Sequence, residues 1–211
     1  VRELSIPPKA RKAFQEGLEL RAKKNPSGSL AHFQRAVAEF PSYYEAYAQM
    51  GMAYLQLGQA AEAEKALRQS IELSGDNSAD ADFALSGLLL DQGQFAEAEK
   101  VVRRGLGLAP TSWLGHFQLG RALLSMKRLE EAGQSAQKAL SLKPDSPMTC
   151  LLLADIHLAQ KDYPAQLRDV EEYLRLDPNG AFSARAQEIR ANVQRLLSRL
   201  QSPPIATQGK P

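Results

Sequence analysis

Apolar residues recur along most of the chain at intervals of three and four, the spacing that places side chains on one face of an α-helix. Tyr47, Met50 and Tyr54 form one such stripe, and Ala63 and Leu67 begin another in the segment that follows. Glycines and prolines separate these segments, because proline cannot continue a helix and glycine accepts the left-handed conformation that ends one. The pattern predicts an all-α chain built from short amphipathic helices.

Small residues recur along the chain with a period close to 34. The first series has gaps of 34, 36, 33 and 34 and consists of Gly17, Gly51, Gly87, Gly120 and Ala154. The second series lies between these positions and consists of Ser29, Ala63, Ala98 and Ala132. The third marks the unit ends and consists of Pro41, Gly75, Pro110, Pro144 and Pro178. A constant period of this length indicates one helix-turn-helix unit repeated several times, with small residues where two helices approach closely.

These residues resemble the signature positions of the tetratricopeptide repeat family in five consecutive units. The resemblance implies a right-handed α-solenoid over residues 10–180, with repeats at about 10–43, 44–79, 80–112, 113–146 and 147–180. Apolar residues at helical spacing predict a C-terminal capping helix over 181–201. Leu4 and Ile6 alternate with polar residues before Pro7 and Pro8, which predicts an extended lead over 1–9, and the composition of 202–211 predicts a disordered tail.

Charge is distributed in blocks that the net value of +2 conceals. Residues 1–40 contain eight basic and four acidic side chains (+4), residues 41–100 three and ten (−7), and residues 101–211 fifteen and ten (+5). One interpretation is that solvated helix faces simply vary in charge. The other is that the acidic middle steers a basic partner, or pairs with the basic end of a second copy.

The sequence contains no complete set of catalytic or metal-ligating residues, so we predict no enzymatic activity and no cofactor. The single cysteine, Cys150, lies among leucines in a predicted helix, where core packing is favoured over a nucleophilic role. The alternating residues Asp76, Ser78, Asp80 and Asp82 look like the start of a calcium loop. Ala81 stands where that loop needs glycine, and no glutamate stands at the end of the loop, so helix capping by Ser78 is the favoured interpretation.

Nucleic acid and the membrane interior are also excluded as partners by the sequence. The acidic middle repeats oppose a phosphate backbone. No run of about 18 apolar residues is present, so we expect no direct membrane insertion.

The family resemblance implies that the first helix of each pair lines a concave groove that binds a partner. The expected groove residues are Phe14, Leu18, Gln49, Met52, Leu88, Asp91, Phe117, Arg121, Leu151 and Asp155. The lysines and asparagines of the family's carboxylate clamp are missing, so a chaperone tail is not the expected ligand. We expect a protein or peptide segment held mainly by apolar contacts, with Phe117 as the main anchor. Burial of these residues against the neighbouring repeat stays an equal alternative.

Two other functions stay open at this point. The first is a regulatory or substrate-recruiting arm of a larger enzyme or assembly machine. The second is a self-associating structural module, although we expect a monomer. The Leu–Ser–Ile–Pro lead resembles bacterial envelope proteins that carry tetratricopeptide repeats as a C-terminal module. That resemblance implies an extracytoplasmic location, periplasmic or envelope-associated.

Overall fold

A computed structural model describes residues 6–201 of the protein. These residues form eleven α-helices joined by short turns. The helices are α1 (Pro8–Ala22), α2 (Pro26–Glu39), α3 (Tyr44–Gln56), α4 (Ala60–Ser74), α5 (Ala79–Asp91), α6 (Phe95–Leu108), α7 (Trp113–Ser125), α8 (Leu129–Leu142), α9 (Pro147–Gln160), α10 (Tyr163–Leu176) and α11 (Ser183–Gln201).

Each odd-numbered helix from α1 to α9 packs against the even-numbered helix that follows it, and each pair stacks on the next pair. The odd-numbered helices from α3 to α9 also touch one another directly, α3 with α5, α5 with α7 and α7 with α9. The core is therefore a continuous ribbon between stacked helix pairs rather than one compact centre. This arrangement confirms the predicted all-α solenoid of helix-turn-helix repeats.

Small residues allow the two helices of a pair to approach closely. A Cβ atom added to Gly51 would lie 2.5 Å from the Cγ atom of Leu67, so only glycine fits there without a shift of the Leu67 side chain. Its neighbour Ala63 is wholly buried on that second helix. The 34-residue period thus arises from a packing requirement that each unit repeats.

The register of the third repeat differs from the prediction by one residue. Ser86, rather than Gly87, is the small residue at the buried contact, and its side chain is wholly buried. A Cβ atom added to Gly87 would meet only Nε2 of Gln118, at 3.0 Å, and no atom of the partner helix α6. The prediction chose Gly87 because glycine occupies this position in the neighbouring repeats. Serine is also small enough for the contact, and glycine occurs at other helix positions too.

The turn between the helices of each repeat contains one residue with a left-handed backbone. Their φ angles lie between 55° and 76° at Lys24, Gly58, Gly93, Lys127 and Lys161. Glycine adopts this conformation without a steric penalty, whereas lysine does so at a cost. All five repeats therefore use one turn geometry, although only two of them have glycine at this position.

Helices α1 and α11 stand at the two ends of the described part of the chain. The lead is shorter than residues 1–9, since α1 begins at Pro8, where the fixed φ of proline suits the first turn of a helix. Ile6 is buried in a cluster with Tyr43. Residues 1–5 and the predicted tail 202–211 lie outside the described residues. At the other end α11 packs against α10 and buries Ala186 and Val193.

The opposite charge blocks pair within the single chain. Six of the ten acidic side chains of residues 41–100 lie within ion-pair distance of an arginine. Arg104 and Arg121, from the following basic block, bind acids that precede them by 22 to 30 residues. Pairing between consecutive repeats therefore neutralises much of the acidic middle without a partner.

The carboxylates of Asp76 and Asp82 bind an arginine of helix α6 instead of a metal ion. Arg104 donates hydrogen bonds to Asp76 Oδ1 at 2.8 Å and to both carboxylate oxygens of Asp82. The predicted cap by Ser78 is wrong: Ser78 immediately precedes α5, but its hydroxyl accepts no bond from the helix and lies 3.5 Å from the hydroxyl of Ser70. Within residues 6–201 no three His, Cys, Asp or Glu side chains are placed to share a metal ion.

Candidate functional site

A cavity of about 520 Å³ lies on the surface formed by the odd-numbered helices at the N-terminal end of the stack. We call the surface that these helices share, continued along α7, α9 and the start of α11, the first-helix groove. The cavity brings together three of the expected residues, Phe14, Leu18 and Gln49. The other residues that line it are Arg21, Tyr44, Glu45, Ala48, Asn77, Ser78, Ala79 and Asp80.

The Phe14 ring forms a wall of this cavity and part of the core at the same time. Its centroid lies 4.8 Å from that of Tyr43 and 5.7 Å from that of Phe33, both in tilted contacts. Tyr43 and Phe33 are buried, so they hold the ring in place. This end of the groove therefore has a rigid aromatic side.

Arg21 joins the first two repeats across the groove. It donates a hydrogen bond to Oε1 of Gln49 and approaches the sulfur of Met52 at 3.8 Å. Two expected groove residues, Gln49 and Met52, are thus already partners of one guanidinium group. The arginine makes no ion pair with any described acid, although Glu45 and Asp80 line the same cavity.

An aromatic and charged cluster occupies the middle of the groove. The Phe117 ring is half-buried; its centroid lies 6.4 Å from that of Trp113 and 6.0 Å from the guanidinium carbon of Arg121. Arg121 also donates to Asp91 Oδ1 at 3.0 Å. The structure therefore brings Asp91, Phe117 and Arg121 together, as contacts between α5 and α7.

Leu88 does not contribute to the groove surface as expected. It is only 6 % exposed and therefore leaves almost no area for a ligand. The cause is the shifted register of the third repeat, because with Ser86 as the small residue the groove position passes from Leu88 to Gly87. Ala84, half-buried, precedes Gly87 by three residues on α5, so only small side chains face the groove at this repeat.

The C-terminal part of the groove contains Leu151 and Asp155 on α9. Leu151 is half-buried against the cluster that contains Tyr173. Asp155 accepts a hydrogen bond at 3.3 Å from Arg185 of α11. Partial burial raises the pKa of Asp155, and the positive charge of Arg185 acts in the opposite direction.

Three large apolar side chains stand exposed at equivalent positions of successive repeats. Leu114 of α7 is 37 % exposed, Met148 of α9 is 44 % exposed, and Phe182, directly before α11, is 40 % exposed. They lie 34 residues apart, and the equivalents one and two repeats earlier are Asp80 and Glu45, which line the cavity described above. At this position the first repeat has the basic residue Arg11, the second and third repeats have acids, and the later units have apolar side chains.

Two family models, each described as tetratricopeptide repeat, match residues 20–79 and 83–147, together more than half of the chain. The chain belongs to the tetratricopeptide repeat family. None of the curated proteins matches it in sequence.

Solved tetratricopeptide structures share this fold at low sequence identity. MamA from Desulfovibrio magneticus RS-1 is 20 % identical, with a TM-score of 0.71 over 84 % of this chain and 99 % of that one. PilF of Pseudomonas aeruginosa is 19 % identical, with a TM-score of 0.73 over 92 % of each chain. YrrB, a tetratricopeptide protein with an unusual peptide-binding site, is 17 % identical, with a TM-score of 0.67 over 83 % of this chain and 90 % of that one.

Sequence reasoning left two groove residues of the tetratricopeptide array unassigned, Asp80 and Phe182. Asp80 stood in the region read as helix capping, and Phe182 lies just past the last predicted repeat. Counting 34 residues in both directions from Met148 finds Leu114, Asp80 and Phe182.

None of the described helices is long and apolar enough to cross a membrane.

Proposed function

We propose that the chain is a non-enzymatic protein-interaction scaffold that binds a peptide or a helix of another protein in the first-helix groove, mainly through apolar contacts. The observation that carries this proposal is the row of Leu114, Met148 and Phe182, exposed at the same position of successive repeats. Large apolar side chains are costly to expose in a row, and a contiguous apolar patch usually marks an interaction site. Phe117, between Leu114 and Arg121, adds an aromatic anchor, and such anchors dominate many interfaces.

The groove composition also supports a protein segment as the ligand class. Its half-buried apolar side chains alternate with hydrogen-bonding and ion-paired groups, among them Gln49, Arg121 and Asp155. That mixture suits an amphipathic segment, which presents apolar anchors and a polar edge. Ordered side chains such as Phe14 lower the entropy cost of binding, because little has to be immobilised.

The test is selection of peptides from a random displayed library on the purified chain, followed by affinity measurement on groove variants. Leu114→Ser combined with Met148→Ser should weaken the selected peptides at least about tenfold, since each change removes roughly 1 kcal/mol or more of apolar contact. The matched control is Leu108→Ser, which removes a leucine of similar exposure (42 %) at the end of α6, outside the groove. Peptides that bind the double variant as well as the wild type would refute the groove as the binding surface.

The oligomeric state and the cellular location each need a separate test. We propose a monomer, so sedimentation at low and at high salt should give one and the same mass. The extracytoplasmic location stays a prediction, which fractionation of cells expressing the tagged full-length protein tests.

A further inference from the structure

We infer that the partner segment is basic at one end and apolar along the rest, and that its basic end lies against the second and third repeats. The inference rests on the proposed function and adds the chemistry and placement of the ligand. It follows from the change of character along one row of groove positions. Glu45 and Asp80 begin this part of the row, and Leu114, Met148 and Phe182 continue it.

Glu45 and Asp80 line one cavity and lack counter-charges. Neither carboxylate lies within ion-pair distance of a basic side chain anywhere in residues 6–201. The Oε2 atom of Glu45 is buried and has no hydrogen-bond partner among the described groups. A partly buried charge that nothing neutralises costs free energy, so a ligand cation in the cavity beside this carboxylate gains an electrostatic attraction that the free protein lacks.

Basic side chains of the protein do not take this role. Arg21 shares the cavity but directs its guanidinium to Gln49 and Met52. Arg11 and Lys12 line the adjoining cavity of about 590 Å³ with Glu45, but neither lies within ion-pair distance of it, and Lys12 pairs with Glu16 at 3.9 Å instead. The cavity beside Glu45 and Asp80 therefore accepts one more cation without displacing an existing pair.

The acids farther along the groove are already neutralised. Asp91 pairs with Arg121 at 3.0 Å and Asp155 pairs with Arg185 at 3.3 Å. A basic residue of a ligand gains little at those places, since it would compete with an arginine of the protein. The charge pattern thus sets the placement of the segment as well as its composition.

The repeat geometry also sets the spacing of the ligand residues. Stacked helices lie about 8–10 Å apart, and an extended chain advances about 3.3 Å per residue. One repeat therefore corresponds to about three residues of an extended segment. A matching segment has one or two basic residues followed by an apolar residue at about every third position.

Three displayed peptide pools of about twelve residues test the inference. The first has two lysines at one end and Leu, Ile, Met or Phe at every third position. Half of its members have the lysines at the N-terminus and half at the C-terminus. The second replaces the lysines with glutamates, and the third replaces the apolar residues with serines. We expect enrichment from the first pool only.

The enriched peptides are then measured by fluorescence anisotropy on Glu45→Gln combined with Asp80→Asn. We expect a loss of affinity of about three- to tenfold at low ionic strength, which shrinks in about 0.5 M salt because salt screens the contact. The matched control is Glu62→Gln combined with Glu72→Gln, two acids of α4 that also lack an ion pair but lie outside the groove. This control should bind as the wild type does.

The outcomes separate this inference from the proposed function. Peptides that depend on Leu114 and Met148 but tolerate loss of both carboxylates, or that come equally from the glutamate pool, overturn the inference and leave the groove intact. Failure of every pool, or binding that ignores Leu114→Ser with Met148→Ser, overturns both. A dimer of the chain alone that this double variant dissociates would make a second copy the occupant and also overturn the inference.

Discussion

Replacing Arg104 with methionine will leave the Asp82 carboxylate buried without a counter-charge. Asp82 is wholly buried on α5, and its two oxygens accept hydrogen bonds from Nε of Arg104 at 3.0 and 3.2 Å and from Nη2 at 2.5 Å. Methionine keeps the length and the apolar stem of the side chain, so the change removes mainly charge and hydrogen bonds. Breaking one partner of a buried ion pair typically costs about 3–5 kcal/mol.

Proton uptake by Asp82 limits this cost. Neutralising a carboxyl group of ordinary pKa near 3.9 at about pH 7 costs about 4 kcal/mol, since each unit of pH corresponds to about 1.4 kcal/mol. We therefore expect Arg104→Met to lower the free energy of unfolding by about 3–4 kcal/mol at neutral pH. The exposed contact of Arg104 with Asp76 adds little to this value.

The loss should depend on pH in a defined direction. Burial raises the pKa of Asp82, and the hydrogen bonds and charge of Arg104 act against this rise. Without Arg104 the pKa rises further, so the folded state holds the proton more tightly than the unfolded chain does. The penalty is then present above the ordinary carboxyl pKa and falls as the pH approaches about 4.

Urea unfolding followed by helical circular dichroism, at about pH 7 and about pH 4.5, measures both effects. Adding Asp82→Asn to Arg104→Met should recover at least half of the loss at neutral pH, because no charge then remains buried. The control Arg68→Met breaks exposed ion pairs with Glu64 and Glu97 and should cost less than about 1 kcal/mol. A loss for Arg104→Met that equals the control, or one that grows on acidification, would refute the reasoning.

Four further predictions concern the repeat packing, the turns, the thiol and the groove. Gly51→Ala should lower the urea midpoint, because the new Cβ lies 2.5 Å from a buried leucine, whereas Gly87→Ala should lower it less, because its Cβ would meet only the Nε2 atom of Gln118 at 3.0 Å and alanine has the better helix propensity. Lys127→Gly should raise stability by about 0.5–1 kcal/mol in the same assay by relieving a left-handed lysine (φ 62°); a loss would contradict the turn assignment. The Cys150 thiol should resist alkylation at about pH 8 until denaturant is added, since burial, with nearby carboxylates adding to it, raises its pKa to about 11. Phe117→Ala should weaken peptides selected on the wild type by about 1–3 kcal/mol with unchanged helical circular dichroism; unchanged affinity would remove Phe117 as an anchor.

The repeat fold was readable from the sequence because its determinants are local. A pair of antiparallel helices needs apolar residues at helical spacing, a small residue where the helices touch and a breaker at each end. Gly51 and Ala63 show these needs within one unit, and five units in phase repeat them. The same periodicity predicted a capping helix after the last repeat, where α11 lies.

The third repeat shows where this logic ends. Gly87 satisfied the pattern by residue type, yet Ser86 occupies the buried contact and Leu88 is turned into the core as a result. One residue of register corresponds to about 100° of rotation on a helix, so it exchanges groove and core positions. The helix starts settle the register, because α5 begins 35 residues after α3 and α7 begins 34 residues after α5, which aligns Ser86 with Gly51 and Gly120.

Charge pairing and groove exposure were decided only by the tertiary structure. The sequence shows an acidic middle, but which acids are neutralised depends on arginines 22 to 30 residues away that stacking brings within hydrogen-bond distance. Arginine thus pairs with Asp82 and Asp91 but leaves Glu45 and Asp80 without a counter-charge. Likewise, Leu114 and Leu88 are both leucines on first helices, and the register in which each helix packs determines that one is exposed and the other buried. Periodicity is a property of each segment, whereas exposure and pairing are properties of contacts between segments.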